Sequence, residues 1–191
     1  MNSTARPRRS DATKEAIRTA ARERFASDGY ERATIRSIAA DAGIDPAMVM
    51  RYFGTKERLF AVAAAVDLRL PGLGAVPREC LGVTLAAHFL DRWEGDDTLV
   101  ALLRAALTHP TAAERTREMF AGQVQARVAE IVADPGEAAV RAGLIATQVL
   151  GAALCRYVLA VPPVVAMPAA DLVAWLGGTL QRYLTGPPPV G

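Results

Sequence analysis

The stretch from Thr34 to Phe60, TIRSIAADAGIDPAMVMRYFGTKERLF, decides the fold. It reads as two short helices joined by a tight turn, followed at once by a third helix that opens on a lysine. Thr34 is a good N-cap, because its hydroxyl accepts a bond from a backbone N–H two or three residues on. Ile35, Ile38, Ala39 and Ala42 follow at helical spacing and form one apolar stripe. Gly43 stands where a helix must end in a left-handed conformation, which glycine adopts without steric cost. Ile44 plugs the turn, Asp45 caps the next helix, and Pro46 fits its first turn, where no N–H is needed. Val49 and Phe53 face the same small core and leave Met48, Arg51 and Tyr52 on the other face. Gly54 stops this helix, Thr55 caps the third, and Lys56 opens it. Lys56 runs against the local field, since helix N-termini carry partial positive charge. A nucleic-acid phosphate would supply the missing anion, because helix N-termini and lysine both bind phosphate. A plain solvated lysine is the alternative.

At these residues the chain resembles the TetR family of bacterial transcriptional regulators. Phe25, Gly29 and Tyr30 carry the likeness at the end of a first helix, then Thr34, Ile38, Ala39, Ala42, Gly43 and Ile44. Tyr52, Phe53, Lys56, Leu59 and Phe60 complete it, so that it spans roughly residues 12–60. The resemblance implies an all-α homodimer: an N-terminal three-helix, helix-turn-helix domain that binds a palindromic operator, and a C-terminal helical bundle that dimerises and holds an effector. One departure stands out. The family often has tyrosine where this chain has Met50, and an aromatic residue or histidine where it has Arg51. Met50 offers only apolar contact, whereas Arg51 brings a charge that can bind phosphate or take guanine bidentately.

The rest of the chain is compatible with this. Its 191 residues, 51% hydrophobic and 22% charged, suffice for one large or two small domains with a sizeable core. Net charge is only +2, but residues 1–60 hold 12 Lys+Arg against 8 Asp+Glu, while residues 61–191 hold 10 against 12. A basic N-terminal third on a slightly acidic body suits a DNA-reading head. Two cysteines, Cys80 and Cys155, are too few for a disulfide framework and fit a reduced, cytoplasmic setting. The N-terminus has no apolar run after its positive charges, so no secretory signal is expected. The apolar stretch from Gly143 to Val161 is broken by Gln148 and Arg156, which favours a buried bundle helix over a membrane span.

The expected organisation is a basic arm over 1–9, a helix-turn-helix domain over 10–55, a helical body over 56–185 and a proline-rich tail over 186–191. The arm, with Arg6, Arg8 and Arg9, either reaches along DNA or is simply solvated. The first helix runs to about Asp28 with Ile17, Ala20, Ala21 and Phe25 inward and Lys14, Arg18 and Arg22 outward. The helix opened by Lys56 connects head to body and runs to about Leu70. Further helices are expected at about 78–93, 96–108, 111–133, 137–161 and 168–185, with a break across Pro162 and Pro163.

In the DNA-binding set, Thr34, Tyr52 and Lys56 would anchor phosphates and Ala47, Met48 and Arg51 would approach base edges, with Arg36 beside them. On the last two long helices, Leu144, Gln148, Gly151, Cys155 and Leu159 and then Leu172, Trp175, Leu176, Thr179, Leu180 and Tyr183 form the expected dimer surface. Dimerisation also follows from helix-turn-helix geometry, since two heads match half-sites about one DNA turn apart or multiples of it. Phe89, Trp93, Leu103, Met119, Phe120, Gln123 and Gln148 are candidates to line a pocket for a largely hydrophobic ligand, plain core being the alternative. His88 and His109 have no metal-ligand spacing, and neither a Gly-rich phosphate loop nor a nucleophile elbow is present. No cofactor, metal or enzymatic activity is expected; the partners are double-stranded DNA, a second copy of the chain and a small effector, with no membrane. A DNA-binding activator or architectural protein without an effector is the other reading.

Overall fold

A computed structural model describes residues 9–63, 67–95 and 97–188. Among these residues the chain is helical with irregular connections and no strand, the all-α class that was expected. Of the basic arm, residues 1–8 lie outside the described residues, as do residues 189–191 of the tail.

Four helices enclose the N-terminal core: α1 (Arg9–Arg32), α2 (Ile35–Ala42) and α3 (Pro46–Phe53) of the head, and α4 (Lys56–Ala63), which connects head to body. The inward stripe of α1, Ile17, Ala20, Ala21 and Phe25, is buried against Ile38 and Ala39 of α2, Val49 of α3 and Leu59 and Phe60 of α4. Alpha-helical backbone is interrupted at Gly29, whose φ of 76° suits glycine, and one further turn carries the chain to Arg32. That turn lets Tyr30 pack edge-on to Phe60, ring centroids 4.9 Å apart, rather than simply following the helix.

The helix opened by Lys56 ends well before Leu70. Residues Asp67 to Gly72 are irregular, because body side chains supply the hydrogen bonds that a helix would otherwise provide. The N–H of Leu68 donates to Oε1 of Gln123 at 2.7 Å, and Nε2 of His88 donates to the Leu68 carbonyl at 2.7 Å. Arg92 donates to the carbonyl of Asp67. With these partners Leu68 and Leu70 turn into the core.

The body comprises α5 (Leu81–Glu94), α6 (Asp97–Ala106), α7 (Pro110–Met119), α8 (Gln125–Val128), α9 (Pro135–Ala153), α10 (Pro162–Ala166) and α11 (Ala169–Thr185). A π turn over Phe120–Val124 joins α7 to α8, and another over Leu154–Val158 prolongs α9. The two long helices expected at 111–133 and 137–161 are thus shorter, and each contains a π turn. The break expected at Pro162 and Pro163 is instead the start of α10, where proline occupies positions that need no N–H.

The tightest crossing is α5 on α11 at Gly82 and Gly177, where a Cβ on Gly82 would lie 2.2 Å from the Gly177 carbonyl oxygen. Oε1 of Gln181 accepts from the Gly82 N–H beside it. The prolonged α9, Pro135–Val158, is long and apolar enough to cross a membrane, but was expected to be buried. Only 28% of its most apolar window is buried, because one side carries Ala138, Ala142, Ile145, Val149 and Ala153 into the core and the other stays open. The head rests on the body through α1 against α6 and α4 against α7. Nε2 of His109 lies 3.0 Å from Oε1 of Glu31 at this junction.

Candidate nucleic-acid interface

The turn between α2 and α3 is fixed by local hydrogen bonds. Thr34 Oγ1 accepts from the Ser37 N–H at 3.0 Å while Ser37 Oγ accepts from the Thr34 N–H at 3.0 Å, a reciprocal cap on α2. At the other end Gly43 adopts φ 65°, and the N–H of Ile44 reaches back to the Ala39 carbonyl at 2.9 Å. Asp45 Oδ1 accepts from the Ala47 N–H at 2.7 Å, so only three residues separate the end of α2 from the start of α3. Gly54 at φ 79° stops α3, and Thr55 Oγ1 accepts from the Arg58 N–H to open α4.

These caps orient α3 with Val49 wholly buried and Ala47, Met50 and Arg51 exposed. Met48 is half-buried rather than fully outward. Tyr52 is half-buried between two cations, Lys14 Nζ at 5.6 Å and the Arg51 guanidinium at 5.4 Å from its ring centre. Arg36 stands exposed in the first turn of α2. Thr34 is exposed, but its hydroxyl is already engaged by Ser37. Lys56 opens α4 as expected, and its ammonium donates to the Glu31 carbonyl at 3.2 Å.

Two further residues join this surface. Met50 is 44% exposed on the same helix face as Arg51, and Arg58 is exposed in the first turn of α4. The basic residue after Thr55-Lys56-Glu57 was the available signal for Arg58. Arg22, expected outward with Lys14 and Arg18, instead turns in, its Nε donating to the Ala63 carbonyl at 3.1 Å. Behind the surface, Arg24 grips Asp41 of α2 through two bonds of 2.7 and 2.6 Å and Asp28 through one of 3.1 Å. Those hydrogen bonds hold both carboxyls below the ordinary range. The Tyr30 hydroxyl donates to Glu57, and burial together with that carboxylate pushes Tyr30 up to about 12.

The expected ligand-lining residues do not come together. Phe89 and Trp93 border a narrow apolar crevice between α5, α9 and α11, with about 20 Å³ of open space. Leu103, Met119 and Phe120 are core side chains elsewhere. Gln123 holds Leu68, and Gln148 donates to the Tyr183 hydroxyl at 3.4 Å. The π turn brings Arg156 and Tyr157 to the crevice, two residues that helical spacing alone did not single out. A wider hollow, lined by charged and apolar side chains alike, lies on the far side of Trp93 and Tyr157, beneath α1.

The expected dimer residues divide by helix face. Leu144, Leu159 and Trp175 are exposed, Trp175 by 76%. Gln148, Gly151, Cys155, Thr179 and Tyr183 are half-buried, and a Cβ at Gly143, Gly151 or Gly178 would meet nothing within 4 Å. Leu172 and Leu176 turn toward the crevice. Leu180 is 0% exposed and is core, a correction that follows from its place with Gly177 and Leu184 on the buried side of α11. Val140, exposed one turn before Leu144, extends the open apolar stripe.

Comparison with known proteins agrees with this architecture. Residues 17–63 match the family model described as bacterial regulatory proteins, tetR family, and residues 79–184 match the one described as tetracyclin repressor-like, C-terminal domain. A TetR-family regulator from Streptomyces coelicolor is 27% identical with a TM-score of 0.62, over 94% of this chain and 97% of its own. A transcriptional regulator from Rhodococcus sp. RHA1 is 24% identical with a TM-score of 0.65, over 90% and 95%. A TetR-like transcriptional regulator from the same organism is 16% identical with a TM-score of 0.60, over 95% and 100%. At these two lower identities the likeness is one of fold. Among curated protein sequences none matches significantly.

Proposed function

The chain belongs to the TetR family of bacterial regulatory proteins, and on that premise we propose that it is a homodimeric repressor, released from a palindromic operator by a small, largely hydrophobic ligand. That it is a DNA-binding transcriptional regulator follows from the family; dimer, repression and release are the proposal. The division of labour is a reading head over residues 10–55 and a body over 56–185, acting in the cytoplasm.

The observation that carries the reading is the orientation of α3. Its buried Val49 fixes the helix, and its exposed Ala47, Met50 and Arg51 are free to meet base edges in a major groove. Arg36, Tyr52, Lys56 and Arg58 flank that face and suit phosphates on either side. The open stripe of Val140, Leu144, Leu159 and Trp175 suits a second copy, and the outward glycines would let its backbone approach closely. Release requires the ligand to prefer the state that cannot span both half-sites, since equal affinity for both states shifts nothing.

The test is selection of bound duplexes from a random pool, followed by mobility shift on the selected site. A symmetric consensus bound at low salt supports the reading. A non-symmetric consensus, or no enrichment, overturns it.

A further inference from the structure

We propose that Arg24 is a positioning residue for base reading: through Asp41 it sets the angle at which α2, and with it α3, stands on α1. The proposal needs only that the chain reads DNA, which follows from its family. It does not need repression, dimerisation or a ligand.

Apolar packing alone leaves that angle loose. Ile38 and Ala39 are the buried residues of α2, and Val49 is that of α3. Burial of this kind is favourable but non-directional. The α2–α3 unit is stiff within itself, because Gly43, the bond from the Ile44 N–H to the Ala39 carbonyl and the Asp45 cap fix α3 on the end of α2. Whatever orients the end of α2 therefore orients α3.

That end carries Asp41, and Arg24 of α1 takes both of its oxygens, Nε to Oδ2 at 2.7 Å and Nη2 to Oδ1 at 2.6 Å. Two parallel bonds fix direction as well as distance. Nη1 donates to Asp28 at 3.1 Å, one turn further along α1, which holds the guanidinium itself in place. Exposed ion pairs are worth little unless they are bidentate or networked, and this one is both. Arg22 and Tyr30, also on α1, direct their polar atoms to α4 instead. Lys14 meets α3 over the Tyr52 ring, a contact with no hydrogen-bond direction.

Both carboxylates stand against the local field. Asp41 lies in the last turn of α2 and Asp28 just before the interruption of α1 at Gly29, where helix dipoles disfavour negative charge. Residues that break a local rule are expected where function needs them. What these two share is Arg24.

The consequence is a lever. At about 1.5 Å per residue the eight residues of α3 span about 12 Å, so a tilt of about 5° at its base moves its far end by about 1 Å. Contacts to base edges need placement within about 0.5 Å, whereas long cationic side chains can follow a phosphate. Loosening Arg24 should therefore cost discrimination between sequences and spare affinity for the backbone.

The measurement compares the parent, Arg24→Met, Asp41→Ala and the double variant, each as the full chain. The probes are the duplex most enriched from a random pool and a scrambled duplex of equal length. Each single variant is expected to lower the ratio of the two affinities by about 10-fold, which is what losing one bidentate base contact removes. The double variant should lower it no further, because both changes break the same contact. On the scrambled duplex the slope of log affinity against log salt should not change. Partial unfolding would weaken binding to both duplexes alike and leave the ratio intact. A role in surface charge alone would weaken all binding in Arg24→Met and strengthen it in Asp41→Ala. An unchanged ratio in either single variant, opposite shifts of the two, or additive losses in the double variant would each overturn the proposal. The enriched duplex need not be symmetric, so failure here is distinguishable from failure of the paired-repressor reading.

Discussion

The ammonium of Lys56 lies 4.4 Å from the centre of the Tyr30 ring and donates to the carbonyl of Glu31 at 3.2 Å. The first residue of α4 is thereby fastened to the last turn of α1. A cation that is unfavourable at a helix N-terminus is favourable beside carbonyls at a helix C-terminus and over an aromatic face. Its local cost is therefore offset inside the head before any nucleic acid arrives.

Lys56→Met keeps the aliphatic stem and removes both contacts. It should lower stability by about 0.5–1 kcal/mol, the worth of a surface cation–π contact. If Lys56 also meets a phosphate through its remaining N–H groups, the slope of log affinity against log salt should fall by about 1. Salt titration of operator binding separates these effects. An unchanged slope with reduced stability would assign Lys56 to the head alone.

Arg51 and Met50 share the exposed face of α3, and substitution should affect base choice rather than overall affinity. Arg51→Ala is expected to relax preference at one base pair per half-site, by about 1–3 kcal/mol of discrimination. Arg36→Ala and Arg58→Ala should weaken binding to all sequences alike. Affinities for a panel of single-base operator variants give the answer. Uniform loss in Arg51→Ala would place that residue on the backbone instead.

The grip of Arg24 on Asp41 and Asp28 predicts a pH dependence. Both carboxyls lie below their ordinary 3.8 because Arg24 hydrogen-bonds their charged forms. Glu57 is also lowered, chiefly by its own backbone N–H, and Glu130 by the N–H of Gly74. Groups with depressed folded values stabilise the fold above their unfolded values and cease to do so as pH falls through the folded ones. With respect to these groups the melting temperature should be level from pH 8 to about 5 and drop below about 4. Asp41→Asn should flatten part of that drop; a parallel drop in parent and variant would refute the assignment.

Gly82 marks the closest approach of two helices. An added methyl would sit 2.2 Å from the Gly177 carbonyl oxygen and 2.5 Å from the Gln181 nitrogen, both backbone atoms. Gly82→Ala should therefore force α5 and α11 apart and cost at least about 1–3 kcal/mol. Gly177→Ala, whose methyl would meet Val83 backbone at 3.0 Å, should cost less. Urea denaturation orders the two, and a Gly82→Ala chain as stable as the parent would be incompatible with the packing described.

The head was legible in sequence because its signals are local. Thr34, Gly43, Asp45, Pro46, Gly54 and Thr55 each act on backbone within a few residues, and every one ends or begins a helix where expected. What sequence hid depends on partners far along the chain. Periodicity placed Arg22 outside, yet the Ala63 carbonyl draws it in. The apolar run after Lys56 looked like one helix, but Gln123 and His88 hold Leu68 in irregular backbone. Leu180 lay on a plausible outer stripe until the crossing of α5 over Gly177 fixed the rotation of α11. The crevice was half legible: Phe89 and Trp93 were found, whereas Arg156 and Tyr157 reach it through a π turn that a 3.6-residue period does not anticipate.

Sedimentation velocity with a fluorescent duplex carrying the selected symmetric site is the most direct measurement. It should find two chains per duplex at low salt, and Leu144→Asp on the open stripe should leave folded monomers that no longer co-sediment with the duplex. A parent chain that stays monomeric and never co-sediments with any duplex would contradict the assignment of α3 and the α9–α11 face to paired operator reading.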